Sequence, residues 1–270
     1  MTNTRDEQLR ATFNEDADLY NRGRPRYPLQ LFKDLVALTD ISSQSRILEI
    51  GPGTGLATVP IAKLQSTIIG VELGANMAAV ARRNLSQFPN VEIVVSAFED
   101  WPLPSEKFDL VMAATAFHWI REDIRINKCA DALRSGGFLA VISTHHVDGG
   151  SKQFFTDVQR IYDHYGIGEA PGFCLAAASD IPEQFDEAER SGLFDSLQFR
   201  RYEWDEIYTA QSYLDLLATY SNHRALSTQA QAEMFPSIAN LITSRYGGQI
   251  TKRYMVQLAV ARKRSDKGSD

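Results

Sequence analysis

Three glycines at two-residue spacing, Gly51, Gly53 and Gly55, directly follow a short apolar run that contains the acid Glu49. The apolar residues of 47–50 predict a buried parallel strand, and the glycines predict a turn where the backbone approaches a ligand or the next helix. Ligands of open α/β sheets bind at the carboxyl ends of such strands. The stretch therefore predicts a site for a nucleotide-type cofactor.

The glycine spacing and Glu49 discriminate between two classes of cofactor. Dinucleotide sites use G-x-G-x-x-G and lay a pyrophosphate on a helix N-terminus, whereas this chain has G-x-G-x-G. A carboxylate beside the turn repels a pyrophosphate and attracts a cation. S-adenosylmethionine carries a sulfonium and an α-ammonium and no phosphate, so the turn favours this cofactor. The alternative is a purely structural strand-to-helix turn.

A second acid, Glu72, ends the next predicted strand, 67–71, about 17 residues after Gly55. A carboxylate at this position can accept hydrogen bonds from both hydroxyls of a ribose. The alternative role is a simple helix-capping acid. Glu72 therefore adds a ribose-binding signature to the glycine turn.

Histidines supply the candidate general bases. S-adenosylmethionine, the cofactor favoured above, donates a methyl group. Transfer of this group needs a base only where the acceptor atom is protonated, as in a hydroxyl but not in a carboxylate. The candidates are His118, His145, His146 and His223, with Tyr220 as a hydrogen-bonding partner. His118 is favoured because it follows a predicted strand near the expected methyl group, although packing beside a neighbouring tryptophan is an equally good explanation.

Five predicted strands alternate with helices, which predicts a parallel sheet with right-handed crossovers. The strands are predicted at 46–50, 67–71, 91–95, 108–112 and 138–142, and the helices at 31–39, 55–65, 76–88 and 124–133. After Thr144 the alternation is lost: helices are predicted at 154–165, 183–192, 213–220 and 229–246, a strand-like stretch at 197–208 and a last strand at 254–261. No linker separates a second domain, so residues 1–270 are predicted to be one domain.

Composition limits the possible partners. A net charge of -6 and a pI near 5.5 give no broad electrostatic attraction to nucleic acid, and no stretch is apolar enough to span a bilayer. Cys129 and Cys174 have no zinc-ligand spacing, so no metal is expected. We expect a reduced, cytoplasmic protein with no nucleic-acid or membrane partner; the oligomeric state is not determined by the sequence.

These motifs together resemble the class I S-adenosylmethionine-dependent methyltransferases, in particular the small-molecule branch that includes trans-aconitate methyltransferase-like proteins. The resemblance covers residues 46–142. It is carried by Leu48–Gly55, Gly70–Glu72, Ala97–Asp100, Phe108–Val111 and Leu133–Gly137, and Tyr20–Pro28 resembles the arginine-proline-x-tyrosine-proline entry segment of that branch.

The resemblance implies a Rossmann-like α/β fold: a seven-stranded, mostly parallel sheet with an antiparallel last strand and helices on both faces. Residues 46–144 would form the cofactor-binding core and 1–45 an N-terminal arm with helices. Residues 145–182 and 209–248 would form a helical lid that binds the substrate. The cofactor would be S-adenosylmethionine, with S-adenosylhomocysteine as the product.

The resemblance also implies roles for single residues. Leu73, Met77, Ala97 and Phe98 would enclose the adenine, and Thr115 would lie near the methionine end. Many relatives have an aspartate where this chain has Ala97, which leaves Glu99 as the acid for the adenine amino group.

Tyr20 and Arg24, in the arm, are predicted to close over the cofactor, with Arg24 pairing with its carboxylate or with an acidic acceptor. The predicted function is methyl transfer to a small-molecule acceptor, with O-methylation of a carboxylate or hydroxyl favoured over C- or N-methylation. The alternatives are a non-catalytic S-adenosylmethionine-binding regulator and an NAD-dependent oxidoreductase.

Overall fold

The computed structural model describes residues 14–265, and the predictions for 1–13 and 266–270 lie outside this range. The sheet has the order β3-β2-β1-β4-β5-β7-β6, with the last strand antiparallel to the others. Its strands are β1 Arg46–Ile50, β2 Thr67–Glu72, β3 Val91–Val95, β4 Phe108–Ala114, β5 Leu133–His146, β6 Phe194–Thr209 and β7 Gln249–Lys263. The predicted seven-stranded Rossmann-like α/β sheet is therefore confirmed.

β1 lies in the middle of the parallel part of the sheet. Leu48 pairs with Ile69 of β2 on one side and with Val111 of β4 on the other. Leu48 and Val111 are fully buried. A strand covered on both faces is mostly apolar, which explains Ile47, Leu48 and Ile50. The buried acid Glu49 is the exception in β1.

The helices, numbered in chain order, lie between and after these strands. They are α1 Ala17–Gly23, α2 Leu29–Thr39, α3 Thr58–Ala62, α4 Ala75–Asn84, α5 Glu122–Ala132, α6 Lys152–Asp157, α7 Gln159–His164, α8 Asp186–Ser191, α9 Ala210–Leu217, α10 Ser221–Arg224 and α11 Thr228–Arg245. Short 3-10 turns lie at Phe117–Trp119 and Ala178–Asp180.

Several predicted boundaries differ from the structure, and glycines explain two of them. The helix predicted at 55–65 is only Thr58–Ala62, because the three glycines before it hold left-handed backbone angles that a helix cannot include. The strand predicted at 138–142 begins at Leu133, so Gly136 lies inside β5 instead of ending a helix. Gly136 has φ of +71°, and the β4–β5 register shifts between Phe108 and Leu110. The glycine absorbs an irregularity in the strand.

The described chain divides into two compact units, each of which is described by itself. The sheet unit consists of residues 26–144, 183–202 and 256–265, and the helical unit of residues 14–25, 145–182 and 203–255. Leu48, Phe98 and Phe108 belong to the core of the sheet unit. The core of the helical unit includes Phe154 and Tyr213.

The organisation of 1–270 as one domain with a lid at 145–182 and 209–248 stays a prediction. Within residues 14–265, no helix combines the length and the apolar character that crossing a membrane requires.

Candidate functional site

The glycine turn after β1 is built from left-handed backbone. Gly51, Gly53 and Gly55 have φ of +65°, +60° and +88°, values that glycine adopts without steric cost. The Gly51 N–H donates to Val71 O at 2.9 Å, so the turn leaves the sheet directly from the β1–β2 ladder. A Cβ on Gly51 would lie 2.7 Å from the Cβ of Ala116. The turn thus requires glycine at position 51 for two independent reasons.

We expect Gly51→Ala to lower the free energy of unfolding by about 2–3 kcal/mol, because it adds a close contact to the cost of a left-handed alanine. Gly192→Ala is the matched control: Gly192 has φ of +68°, but its Cβ would meet nothing within 4 Å. The control should lose only about 1 kcal/mol in urea denaturation. Equal losses in the two variants would show that the Ala116 contact has no energetic weight.

Glu72 joins the end of β2 to the glycine turn. Its Oε2 accepts from Gly53 N at 2.9 Å and its Oε1 accepts from Gly74 N at 2.8 Å. The carboxylate is buried, so the two backbone N–H groups orient it and replace part of its hydration. Each oxygen keeps lone-pair capacity for one further donor, as binding to a pair of ribose hydroxyls requires.

Glu49 is an acid buried near the end of β1. Its side chain is only 1% exposed, and neither carboxylate oxygen has a hydrogen-bond partner among residues 14–265. Burial raises the pKa of Glu49 from 4.5 to about 7, partly offset by the nearby Thr58 hydroxyl and reinforced by the charge of Glu72. A positively charged group bound next to Glu49 would supply the missing partner. The acids and the glycine turn therefore fit a cationic, phosphate-free ligand.

The raised pKa of Glu49 predicts a pH dependence of stability. The group favours folding below its unfolded pKa near 4.5, and this contribution is lost as the pH rises through about 7. Between pH 4.5 and 8, Glu49→Gln should therefore gain about 3 kcal/mol of unfolding free energy relative to the native chain. Urea denaturation of both proteins across this range measures the difference. A difference that does not change with pH would mean that Glu49 is ionised in the folded protein.

The residues predicted to enclose the adenine have different environments. Leu73 is 41% exposed at the end of β2, and Ala97 is half-buried in the loop after β3. Met77, on α4, is buried, and Phe98 is buried in the core of the sheet unit. The Phe98 side chain is thus committed to packing, and only its backbone is left for a ligand. The adenine role of these four residues stays a prediction.

Glu99 is tied to the segment before α5. Its Oε1 accepts from Arg121 N at 3.2 Å, and its carbonyl oxygen accepts from Lys128 Nζ at 2.8 Å. The predicted hydrogen bond from Glu99 to an adenine amino group would therefore share the carboxylate with the Arg121 backbone.

Thr115 follows β4 with a strained backbone. Its φ of +55° is rare for a β-branched residue, and such strain is concentrated at functional sites. Its hydroxyl is 3.0 Å from Tyr27 Oη and 3.2 Å from Thr144 Oγ1. Neither Tyr27 nor Thr144 had a predicted role. The Arg-Pro-x-Tyr-Pro segment contains Tyr27 and was the available signal, whereas Thr144 had none.

His118 lies in the 3-10 turn that follows β4. Its side chain is exposed at the surface, and its ring centroid lies 4.8 Å from that of Trp119. Although the residue is exposed overall, neighbouring chain covers part of the ring. Desolvation of that part, followed by the positive charge of Arg125, holds the pKa of His118 below its ordinary 6.5. The imidazole is therefore neutral at pH 7, as a proton acceptor must be. Glu49, Glu72, Thr115 and His118 all lie at or just beyond the carboxyl ends of parallel strands.

The remaining predicted residues belong to the helical unit. The Arg24 guanidinium lies 4.8 Å from the Tyr20 ring centroid and 4.6 Å from that of Tyr220, and Nη2 donates to Thr219 O at 2.9 Å. Lys252 Nζ donates to Tyr220 Oη at 3.0 Å.

Although burial raises the pKa of the Tyr220 phenol, the charges of Lys252 and Arg24 outweigh this effect and lower it. Two other candidate bases of this unit, His146 and His223, are weak, because burial lowers the pKa of His146 well below its ordinary range and that of His223 to about 4.

Within residues 14–265, no group of three or more His, Cys, Asp or Glu side chains is placed to hold a metal ion.

Comparisons with known proteins agree with this geometry. Residues 47–137 match the family model described as a methyltransferase domain. An uncharacterized methyltransferase of Mycobacterium bovis is 25% identical over 236 residues, 86% of each chain. An uncharacterized methyltransferase of Schizosaccharomyces pombe is 33% identical over 132 residues, 48% of this chain and 51% of the relative.

Solved structures share the fold. A putative type II methyltransferase from Anaeromyxobacter dehalogenans superposes with a TM-score of 0.57 at 23% identity, covering 90% of this chain and 99% of the other. The YcgJ protein from Bacillus subtilis superposes with a TM-score of 0.54 at 15% identity, covering 88% and 99%. At these identities the likeness is one of fold.

Proposed function

We propose that this chain is a class I S-adenosylmethionine-dependent methyltransferase and that it transfers the methyl group to an oxygen atom of a small-molecule acceptor. The observation that carries the proposal is the pair of acids on the glycine turn: Glu72, oriented by two backbone N–H groups, and Glu49, buried without a partner. A pyrophosphate would be repelled by both carboxylates. A sulfonium with a ribose would use both.

Each group of the site then has a defined task. Glu72 accepts the ribose hydroxyls, the glycine turn leaves room for the amino-acid end, and Glu49 offers negative charge to a cation. When bound, S-adenosylmethionine supplies a methyl group that is activated by the positive sulfur. Holding donor and acceptor in line is then worth about 7–11 kcal/mol of the barrier.

His118 determines which oxygen acceptors are possible. As a neutral imidazole near the ends of the parallel strands, it can take the proton of a hydroxyl acceptor as the oxygen–methyl bond forms. A carboxylate acceptor is already ionised and needs no base. The acceptor is thus an acid or a hydroxyl compound, and His118 is needed only for the second class.

The test combines calorimetry with an assay of methyl transfer. We expect binding of S-adenosylmethionine and of S-adenosylhomocysteine, and no binding of NAD. Transfer of labelled methyl groups is then measured over a panel of small acids and phenols, with the corresponding amides and methyl ethers as matched controls. Binding of NAD in preference would contradict the cofactor assignment. Cofactor binding without transfer to any oxygen acceptor would contradict the O-methylation proposal.

A further inference from the structure

Two cationic side chains of the helical unit meet at one tyrosine. Arg24 lies over the ring of Tyr220, and Lys252 both lies 5.2 Å from the same ring centroid and donates to its hydroxyl. Arg24 comes from the arm and Lys252 from β7, 228 positions later in the chain. Within residues 14–265, neither cation forms an ion pair with an acid.

The two cations destabilise the folded state unless a negatively charged group binds beside them. Lys252 is only 5% exposed, and a buried charge without a counter-charge destabilises the folded state. The Arg24 Nε and the His223 Nε2 are also buried without a hydrogen-bond partner. Neutral acceptors, Thr219 O and the Tyr220 hydroxyl, satisfy only part of the donor capacity of the two cations.

Arg224, in the same unit, shows how a structural arginine is satisfied here. Its guanidinium pairs with the Glu15 carboxylate at 3.2 Å and donates to Ala218 O. Every part of its charge therefore has a partner within the chain. Arg24 and Lys252 have no such acid among residues 14–265, and a bound anion would supply the missing negative charge.

The surroundings indicate the kind of molecule that would bring this charge. Tyr20 and Tyr254 add aromatic surface, since Arg24 lies 4.8 Å from the first ring and Lys252 lies 5.0 Å from the second. Tyr20, Arg24 and Tyr220 are half-buried, so part of the cluster is open to solvent. Guanidinium and ammonium donors beside aromatic rings suit a carboxylate carried on a small unsaturated or aromatic body.

We infer that Arg24, Tyr220 and Lys252 form a binding site for the carboxylate group of a small organic acid. Both cations donate to the carboxylate oxygens, and the Tyr220 hydroxyl, which accepts from Lys252, donates to the same group. The role of this site as the anchor of the methyl acceptor rests on the proposed function. The binding of a carboxylate by the helical unit does not.

The test measures carboxylate binding by the full chain in the absence of S-adenosylmethionine. Benzoate is the probe, and benzamide is its neutral analogue of the same shape. Calorimetry should detect benzoate and not benzamide. Lys252→Met should weaken benzoate binding about 10- to 100-fold, since it removes a charged donor, whereas Lys252→Arg should retain most of the affinity.

Lys263→Met is the matched control, because Lys263 belongs to the sheet unit and its Nζ donates to the carbonyl oxygens of Ala130 and Leu133. This variant should lose stability and keep benzoate affinity. Lys252→Met should keep its stability and lose benzoate affinity, since removing an unpaired buried charge does not lower the melting temperature. If Lys252→Met proves insoluble, Arg24→Gln, at a half-buried position, tests the same loss of affinity.

Equal binding of benzoate and benzamide, or unchanged benzoate affinity in Lys252→Met and Arg24→Gln, would overturn the site. Binding of S-adenosylmethionine to the native chain is measured separately. If the native chain binds benzoate but not S-adenosylmethionine, only the proposed function is refuted. If it binds S-adenosylmethionine but not benzoate, only this site is refuted.

Discussion

Replacing His118 with alanine is expected to lower turnover about 10²- to 10⁴-fold with a hydroxyl acceptor, which is the usual contribution of a positioned general base. S-adenosylmethionine affinity should change little, because the cofactor is assigned to the acids and the glycine turn. With a carboxylate acceptor, turnover of the same variant should stay close to that of the native protein. Single-turnover rates and calorimetric affinities, measured for both acceptor types, separate these effects.

The pH profile gives an independent check on His118. Because the pKa of His118 lies below 6.5, turnover with a hydroxyl acceptor should rise to a plateau below neutral pH, and His118→Ala should abolish this rise. His164→Ala is the control, since His164 is an exposed histidine at the end of α7. A fall in cofactor affinity without a fall in the maximal rate would reassign His118 to binding.

Replacing Glu72 with alanine is expected to weaken S-adenosylmethionine binding about 100-fold or more. The variant would remove the two charge-assisted hydrogen bonds to the ribose that we propose for Glu72, each worth about 1.5–3 kcal/mol. It also removes the acceptor of Gly53 N and Gly74 N, which leaves two backbone donors at the turn without their partner. Calorimetry gives the affinity, and urea denaturation shows how much of the loss comes from the turn itself.

Two further variants separate the charge of Glu72 from its position. Glu72→Gln keeps the size of the side chain but directs an amide N–H₂ at one of two backbone donors, so it should lose much of the affinity as well. Glu92→Ala removes an exposed acid from the neighbouring strand β3 and should bind the cofactor as the native chain does. Native affinity in Glu72→Ala would show that the ribose is held elsewhere.

Glu49 and Glu72 act together in this scheme. Because the charge of Glu72 contributes to the raised pKa of Glu49, a bound cation should favour the ionised form of Glu49 and release a proton near pH 7. Cofactor affinity should therefore increase as the pH rises through 7. The two acids explain why a glycine turn of this type suits a cationic ligand and not a dinucleotide.

The sequence by itself determined the features that local patterns encode. Alternation of apolar runs with helical periodicity predicted β1 to β5, and the glycine spacing predicted the turn, because a left-handed backbone requires a residue without a Cβ. Glu72 was found for the same reason, since it stands directly at the end of a recognisable strand. The glycine turn and Glu72 lie within 21 residues of each other, from Gly51 to Glu72.

Only the tertiary structure decided which distant side chains meet. Tyr27, Thr115 and Thr144 share hydroxyl contacts across 88 and 29 positions of sequence, and no local periodicity predicts such a contact. Burial decided the rest. The pKa of Glu49 depends on the removal of water by the surrounding chain. Lys252 became informative only through its burial and its lack of an acidic partner in the described part of the chain. Desolvation and long-range packing are properties of the folded chain, so the sequence could name the cofactor turn but not the cluster around Tyr220.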